Sequence, residues 1–232
     1  MKVTAIIPAA GEGKRLNAGL QSGAIKKQFL EISGKSILSM TVSAFEECQS
    51  VDDVIVVADK EDIELTKDLL KDYKKVKKVV AGGAKRQESV HNGLQSASQD
   101  TDIVVIHDGA RPLVTKELIS NAITEAKTSK AVVTGVPAKD TIKTVTPDRT
   151  VLETLDRQMI WMVQTPQVFK FDLIKEAYER AKKIGYSATD DSKLVERLGI
   201  SVKMIMGSYE NIKITTKEDL VIAEAILAGR GS

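Results

Sequence analysis

Apolar residues along this chain follow two alternating rhythms. Short, largely β-branched runs at 3–7, 53–58, 103–106 and 131–136 are too brief to span a membrane and read as strands buried on both faces. Between them lie stretches whose apolar residues recur at helical spacing, at 36–48 (Ile37, Met40, Val42, Phe45), 61–73 (Ile63, Leu69, Leu70), 116–128 and 171–183, which predict amphipathic helices. Shorter signals predict a strand at 77–81 ending at Gly82-Gly83, a helix opened by Arg86 and Ser89, a last buried strand at 202–206 and a closing helix through Leu227. Strands alternating with helices in this way predict an α/β fold of three layers, α/β/α, around a mostly parallel central sheet, as one domain over 1–232.

Beyond Pro137 the rhythm changes. Residues 138–160 mix charges with alternating apolar positions, as in Thr141-Ile142-Lys143-Thr144-Val145 and Val151-Leu152-Glu153-Thr154-Leu155, around a Pro147-Asp148 turn. A protruding β-hairpin arm is predicted. One hairpin alone is marginal in water, so this arm is expected to rest on a second subunit in a homodimer, with Trp161 behind it in core or interface packing. Residues 17–34 show no clear periodicity and carry Gly19, Gly23 and Gly34, which predicts an extended flap.

Charge narrows the partners. With 34 basic and 32 acidic residues the net charge is +2, which offers no broad footprint for nucleic acid or an anionic membrane, so any polyanion must be met locally. The single cysteine, Cys48, sits in an apolar-periodic segment and reads as a buried thiol in a reducing compartment. Met1-Lys2 leads straight into the first strand with no signal peptide, so a cytoplasmic protein is expected. His91 reads as structural or surface, and Thr189-Asp190-Asp191 as the cap of a short helix whose neighbours are also candidates for a cleft.

The first strand runs into Pro8-Ala9-Ala10-Gly11-Glu12-Gly13-Lys14-Arg15-Leu16. Proline ends the ladder, small residues let successive N–H groups converge on an anion, and Lys14 and Arg15 add charge, a combination suited to a polyphosphate. A Walker A loop needs glycine at 8 and Ser or Thr at 15, where Pro8 and Arg15 stand. A dinucleotide loop needs a small residue at Leu16 and an acid about 20 residues on, and Asp59 lies too far along. An ordinary glycine turn is the plain alternative. Gly82-Gly83 follows a strand as the first loop does, so both can face one crevice beyond the carboxyl ends of the strands. Asp108 ends the strand predicted at 103–108, where it can receive hydroxyl hydrogen bonds, orient a cation through water, or pair with Arg111.

Residues 5–16 resemble the signature of the sugar-nucleotidyltransferase superfamily. Together with Lys27-Gln28-Phe29-Leu30, Gly82-Gly83-Ala84-Lys85-Arg86-Gln87-Glu88-Ser89-Val90, His107-Asp108-Gly109-Ala110-Arg111-Pro112, Asp140-Thr141-Ile142-Lys143, Gln164-Thr165-Pro166-Gln167 and Asn211-Ile212-Lys213-Ile214-Thr215, the chain is similar to the 2-C-methyl-D-erythritol 4-phosphate cytidylyltransferase family over nearly its whole length. Lys26 stands where that pattern has proline, and alignment through Gln28-Phe29-Leu30 selects Lys27. The resemblance implies a Rossmann-like fold and transfer of CMP from CTP to the phosphate of a polyol phosphate, releasing pyrophosphate. It implies Arg15 and Lys27 as transition-state stabilisers, and Arg157 and Lys213 as the pair that positions the substrate phosphate. Nucleotide contacts are implied for Pro8, Ala9, Ala10, Gly11, Gly13, Gly82, Gly83, Arg86, Ser89, Asp108 and Gly109. Substrate contacts are implied for Asp108, Arg111, Thr141, Arg157, Thr165, Thr189 and Lys213. Mg²⁺ or another divalent cation is expected mainly on the nucleotide phosphates, with Asp108 as candidate ligand, since the sequence lacks a carboxylate cage. The attacking phosphate is ionised at neutral pH, so no general base is required. A ribitol 5-phosphate cytidylyltransferase is the near alternative, against which residues 107–112 lean. A non-catalytic CTP-sensing module is the alternative from another class, and Lys27, Arg157 and Lys213 argue against it.

Overall fold

The structure, a computed structural model, describes residues 1–11 and 26–230, so Gly13, Lys14, Arg15 and half of the predicted flap lie outside the described residues. From β1 (Lys2–Pro8) the described chain resumes with a 3₁₀ turn at Lys27–Phe29 and a small hairpin of β2 (Glu31–Ile32) and β3 (Lys35–Ser36). Then follow α1 (Ile37–Glu47), β4 (Asp53–Ala58), α2 (Ile63–Leu70), β5 (Val76–Ala81), α3 (Arg86–Ser96), β6 (Thr101–Ile106), α4 (Lys116–Ser129) and β7 (Ala131–Pro137). The arm holds β8 (Lys143–Val145) and β9 (Val151–Thr154); β10 (Trp161–Lys170), α5 (Phe171–Lys183), α6 (Ser192–Glu196), β11 (Lys203–Met206) and α7 (Lys217–Arg230) complete the chain.

Seven strands form one sheet in the order β11-β7-β10-β6-β1-β4-β5. Every neighbouring pair is parallel except the two made by β10, which runs antiparallel to both β6 and β7. The strands need apolar residues at every position because successive side chains feed opposite faces. Ile7, Val56, Val105 and Val168 pack with Leu38, Phe45, Ile119 and Ile123 of α1 and α4, whereas Ile6, Val57, Val104 and Phe169 pack with Leu94, Ile174 and Tyr178 of α3 and α5. Each fully buried side chain of this kind is worth about 1.5–3 kcal/mol, so the two cores hold the layers together without a disulfide. Helix starts follow their caps: Ser36 accepts from Ser39 N at 3.1 Å and Thr115 from Leu118 N at 3.2 Å. A third cluster of Ile32, Ile37, Leu113, Ile214 and Ala223 packs the small hairpin and α7 against the segments around the end of β6.

Three expectations change. The sequence reading has no strand at 161–170, a stretch whose centre, Gln164-Thr165-Pro166-Gln167, is polar and carries a proline. There β10 bulges: Val163 pairs with Gly135 and Gln167 with Val133, so three residues stand opposite Thr134 alone and Pro166 owes the ladder no N–H. The predicted buried strand at 202–206 is the outer edge of the sheet, paired only with β7, and its side chains are partly exposed. Helix α2 ends at Leu70, three residues short of its predicted limit. The arm matches its prediction, and both strands are exposed throughout, with Leu152 at 66%. No helix among the described residues is long and apolar enough to cross a membrane.

Candidate active site

The strand ends beyond β1, β4, β5 and β6 are laced together by backbone bonds. Ala9 N donates to Val57 O at 2.7 Å, Gly82 N to Ala58 O at 2.8 Å and Gly109 N to Pro8 O at 3.1 Å. A cleft of about 590 Å³ opens above them. Its walls include Pro8, Ala9, Ala10 and Gly11 from the first loop, Gly82, Gly83, Arg86 and Ser89 from the second, Asp108 and Gly109 after β6, and Lys27 and Lys213. The predicted nucleotide contacts among the described residues therefore converge on one crevice. Lys60 and Lys85, which the sequence reading does not single out as site residues, also line it. Position just after a strand's carboxyl end is the signal that finds Lys60.

Close backbone approach explains the second glycine pair. A Cβ on Gly82 would stand 2.5 Å from Ala10 Cβ, and one on Gly83 would stand 2.4 Å from Glu88 Cβ. Ser89, predicted to touch nucleotide, braces this turn: its hydroxyl accepts from Gly83 N and donates to Lys85 O, both at 3.2 Å.

Asp108 is the electrostatic centre. Arg86 Nε donates to its Oδ1 at 2.8 Å, Lys213 Nζ lies 2.7 Å from Oδ2, and Arg111 Nε is 3.8 Å away. Burial works to raise its pKa, but Arg86, Lys213 and Arg111 outweigh that and hold the carboxyl well below its usual range. Arg86 is itself clamped: Nη1 and Nη2 donate to the two oxygens of Asp191 at 3.0 and 2.8 Å, and the Tyr178 hydroxyl donates to the same carboxylate. Asp191 thus does not cap α6 with its side chain, as the sequence reading expects. Asp190 takes that part, accepting from Lys193 N and the Ser192 hydroxyl.

Other predicted residues lie elsewhere. Thr165 is buried behind the cleft, and Arg111 is turned inward to donate from Nη1 to Asn211 O at 2.7 Å. Thr141 and Arg157 are exposed on the arm, where Arg157 Nη1 donates to Lys139 O at 3.0 Å, and Thr189 is exposed before α6. None of these five lines the cleft of its own chain. The adjacent lysines divide: Lys26 Nζ pairs with Asp62 at 2.8 Å and Asp59 at 3.6 Å, while Lys27 lines the cleft.

His107 supports Asp108 from below as a neutral ring. Its Nε2 lies 3.1 Å from the Arg111 carbonyl, which can only accept, so Nε2 carries the proton. Its Nδ1 accepts from the Thr165 hydroxyl at 3.1 Å, and that hydroxyl accepts from Asp108 N at 3.1 Å. Burial, partly offset by the Arg111 carbonyl and Asp108, pushes the His107 pKa down to about 4. An unfolded chain takes up this proton near pH 6.5, so stability is full above that pH and falls as pH drops toward 4, by about 3 kcal/mol from this residue. Urea unfolding at several pH values should show His107→Gln losing that part of the acid slope. An unchanged slope between pH 6.5 and 4.5 would count against a neutral buried His107.

Among the described residues no cluster of three or more His, Cys, Asp or Glu is arranged to hold a metal. The cleft offers converging backbone and five cationic side chains, Lys27, Lys60, Lys85, Arg86 and Lys213, chemistry suited to binding two phosphorylated molecules together.

Comparison with known proteins agrees with this chemistry. Residues 3–229 match the family described as 2-C-methyl-D-erythritol 4-phosphate cytidylyltransferase. The chain is 46% identical to the protein of that name from Caldanaerobacter subterraneus subsp. tengcongensis, covering 98% of this chain and 99% of the relative. It is 49% identical to the one from Clostridioides difficile, covering 96% and 92%. The fold is similar to the crystal structure of 4-diphosphocytidyl-2C-methyl-D-erythritol synthase from Anaerococcus prevotii, with a TM-score of 0.86, 34% identity and coverage of 98% and 96%.

Proposed function

The chain belongs to the 2-C-methyl-D-erythritol 4-phosphate cytidylyltransferase family, and from that premise we infer how its cleft carries out the family's reaction. It is a nucleotidyltransferase that transfers CMP from CTP to the phosphate of 2-C-methyl-D-erythritol 4-phosphate, giving 4-diphosphocytidyl-2-C-methyl-D-erythritol and pyrophosphate. The observation that carries the mechanism is the cleft lined together by Lys27, Lys213, Asp108 and glycine-rich backbone. The close-packed Gly82 and Gly83 backbone holds the nucleotide, and Lys27, with Arg15, stabilises the charge that builds on the α-phosphoryl group. Lys213 receives the acceptor phosphate, which attacks as the ionised species, so the chemistry is positioning and charge neutralisation. Asp108 is the carboxylate that would stand beside a divalent cation such as Mg²⁺ carried in on the nucleotide phosphates, and such a cation would supply charge neutralisation for the leaving pyrophosphate. Pyrophosphate release should be measured with CTP and methylerythritol phosphate, with ribitol 5-phosphate as acceptor, and with ATP as donor. Strong preference for CTP and methylerythritol phosphate is expected; comparable turnover with ribitol phosphate or ATP would overturn the substrate assignment.

The arm serves a partner subunit in this reading. Supporting it are Val145, Leu152 and Met159, at 51%, 66% and 80% exposure, too much apolar surface for an arm left in water. Arg157 and Thr141 would enter the cleft of the second copy. Mixing inactive Lys27→Met chains with inactive Arg157→Ala chains then gives a mixed dimer with one doubly damaged site and one intact site. Random pairing makes about half the dimers mixed and should restore roughly a quarter of wild-type activity. No recovery after proven subunit exchange would return Arg157 to its own chain's cleft.

A further inference from the structure

Lys213 rides on residues 207–216, a stretch without regular secondary structure between β11 and α7. An irregular segment orients a lysine only if its backbone is held, and the buried holds two residues from Lys213 run through Asn211. Asn211 is fully buried, and its Nδ2 donates to Thr165 O at 2.8 Å, with Gln164 Oε1 at 3.4 Å. Its own carbonyl accepts from Arg111 Nη1 at 2.7 Å. On either side, Gln164 Nε2 donates to Ser208 O at 2.8 Å and Ile214 N to Ala110 O at 2.8 Å.

The bulge in β10 explains why a side chain is used. Residues 164–166 are lifted out of the ladder with β7, so the Thr165 carbonyl lacks a strand partner there, and Asn211 supplies the donor. The opposite amide orientation would set oxygen against oxygen at both contacts, so the donor assignment follows from the partners. Thr165 meanwhile reaches the other way: its hydroxyl accepts from Asp108 N at 3.1 Å. One bulged residue therefore holds Asp108 through its side chain and, through Asn211, the segment that carries Lys213. Asp108 and Lys213 are the two partners that meet at 2.7 Å in the cleft.

We propose that Asn211 is a positioning residue for the reaction, locking the Lys213 segment to the β10 bulge so that the Lys213 ammonium stands where the acceptor phosphate must bind. The proposal rests on the reading that Lys213 receives that phosphate. The test is a double-mutant cycle with Asn211→Ala, Lys213→Met and both together, run where circular dichroism shows every variant folded; Asn211→Ser replaces Asn211→Ala if the latter does not fold. Expected are losses in kcat/KM for the polyol phosphate of about 30-fold for Asn211→Ala and about 100-fold for Lys213→Met. The double variant should lie within about threefold of Lys213→Met, and the KM for CTP should move least. Losses that multiply would overturn the proposal, since damage to folding alone adds to the loss of Lys213. A second readout needs no turnover: the rate at which an amine-acetylating reagent modifies Lys213, followed by peptide mass spectrometry against the exposed Lys183. Asn211→Ala should raise that rate severalfold by freeing the ammonium from Asp108, and an unchanged rate would overturn the proposal. Wild-type activity in Lys213→Met would remove the phosphate-binding reading instead, and the labelling result would then decide the role of Asn211 alone.

Discussion

Lys27→Met is expected to lower turnover at least about a hundredfold while Lys26→Met stays near wild type, although the two lysines are adjacent and chemically identical. A preorganised charge facing a developing phosphoryl charge in a partly dehydrated cleft contributes about 2.7–4 kcal/mol to the barrier, which sets the first figure. Lys26 spends its charge on Asp59 and Asp62 and is turned from the cleft, so its loss removes a partly exposed ion pair worth no more than about 1 kcal/mol. Steady-state kinetics with both substrates varied separates the cases, because the Lys27 loss should appear in kcat more than in either KM. Damage from Lys26→Met with a harmless Lys27→Met would falsify the alignment through Gln28-Phe29-Leu30.

Asp191→Ala should destabilise the fold by about 4 kcal/mol, within the usual range for removing one partner of a buried pair. Asp191 is 1% exposed, and three donors converge on it: two from the Arg86 guanidinium and one from the Tyr178 hydroxyl, which is itself in the core between α3 and α5. Without the carboxylate the hydroxyl is left unpaired and the guanidinium keeps only Asp108. In a chain of this size the melting temperature should fall by roughly 10 °C. Asp190→Ala is the control: Asp190 accepts from Lys193 N and the Ser192 hydroxyl at the start of α6 and from Gln167 Nε2 at 3.0 Å, but takes no part in the Arg86 clamp, and its loss should cost about 2 kcal/mol. Equal shifts for the two would show that the buried clamp contributes no more than an ordinary cap.

Residues whose role is set by near neighbours were legible. The apolar run 103–106 lies in the interior strand β6, α5 has its expected limits at 171 and 183, and Gly82-Gly83 announces close backbone approach at the end of β5. Lys27 was separable from Lys26 because Gln28-Phe29-Leu30 fixes the register. Residues whose role is set by distant partners were not. Asp190 and Asp191 look equivalent in sequence as helix caps, yet Arg86, more than a hundred positions earlier, claims only Asp191. The strand at 161–170 is not legible because nothing local reveals that Thr134 stands alone opposite three residues, the bulge that seats Pro166. The strand at 203–206 has the composition of an interior strand, and only the absence of a second neighbour makes it an edge.

By itself, then, the sequence determined the alternation of strand and helix and the glycine-lined loops at strand ends, because these follow from side-chain periodicity and from bulk next to the backbone. Tertiary structure alone decided that β10 enters antiparallel between β6 and β7, that its bulge turns Thr165 toward both Asp108 and Asn211, and that Arg86 is shared between Asp108 and Asp191. Those choices join residues about 20 to 105 positions apart, and each is made by buried polar groups that must find partners once the sheet has closed around them, a demand that no short window of sequence can express.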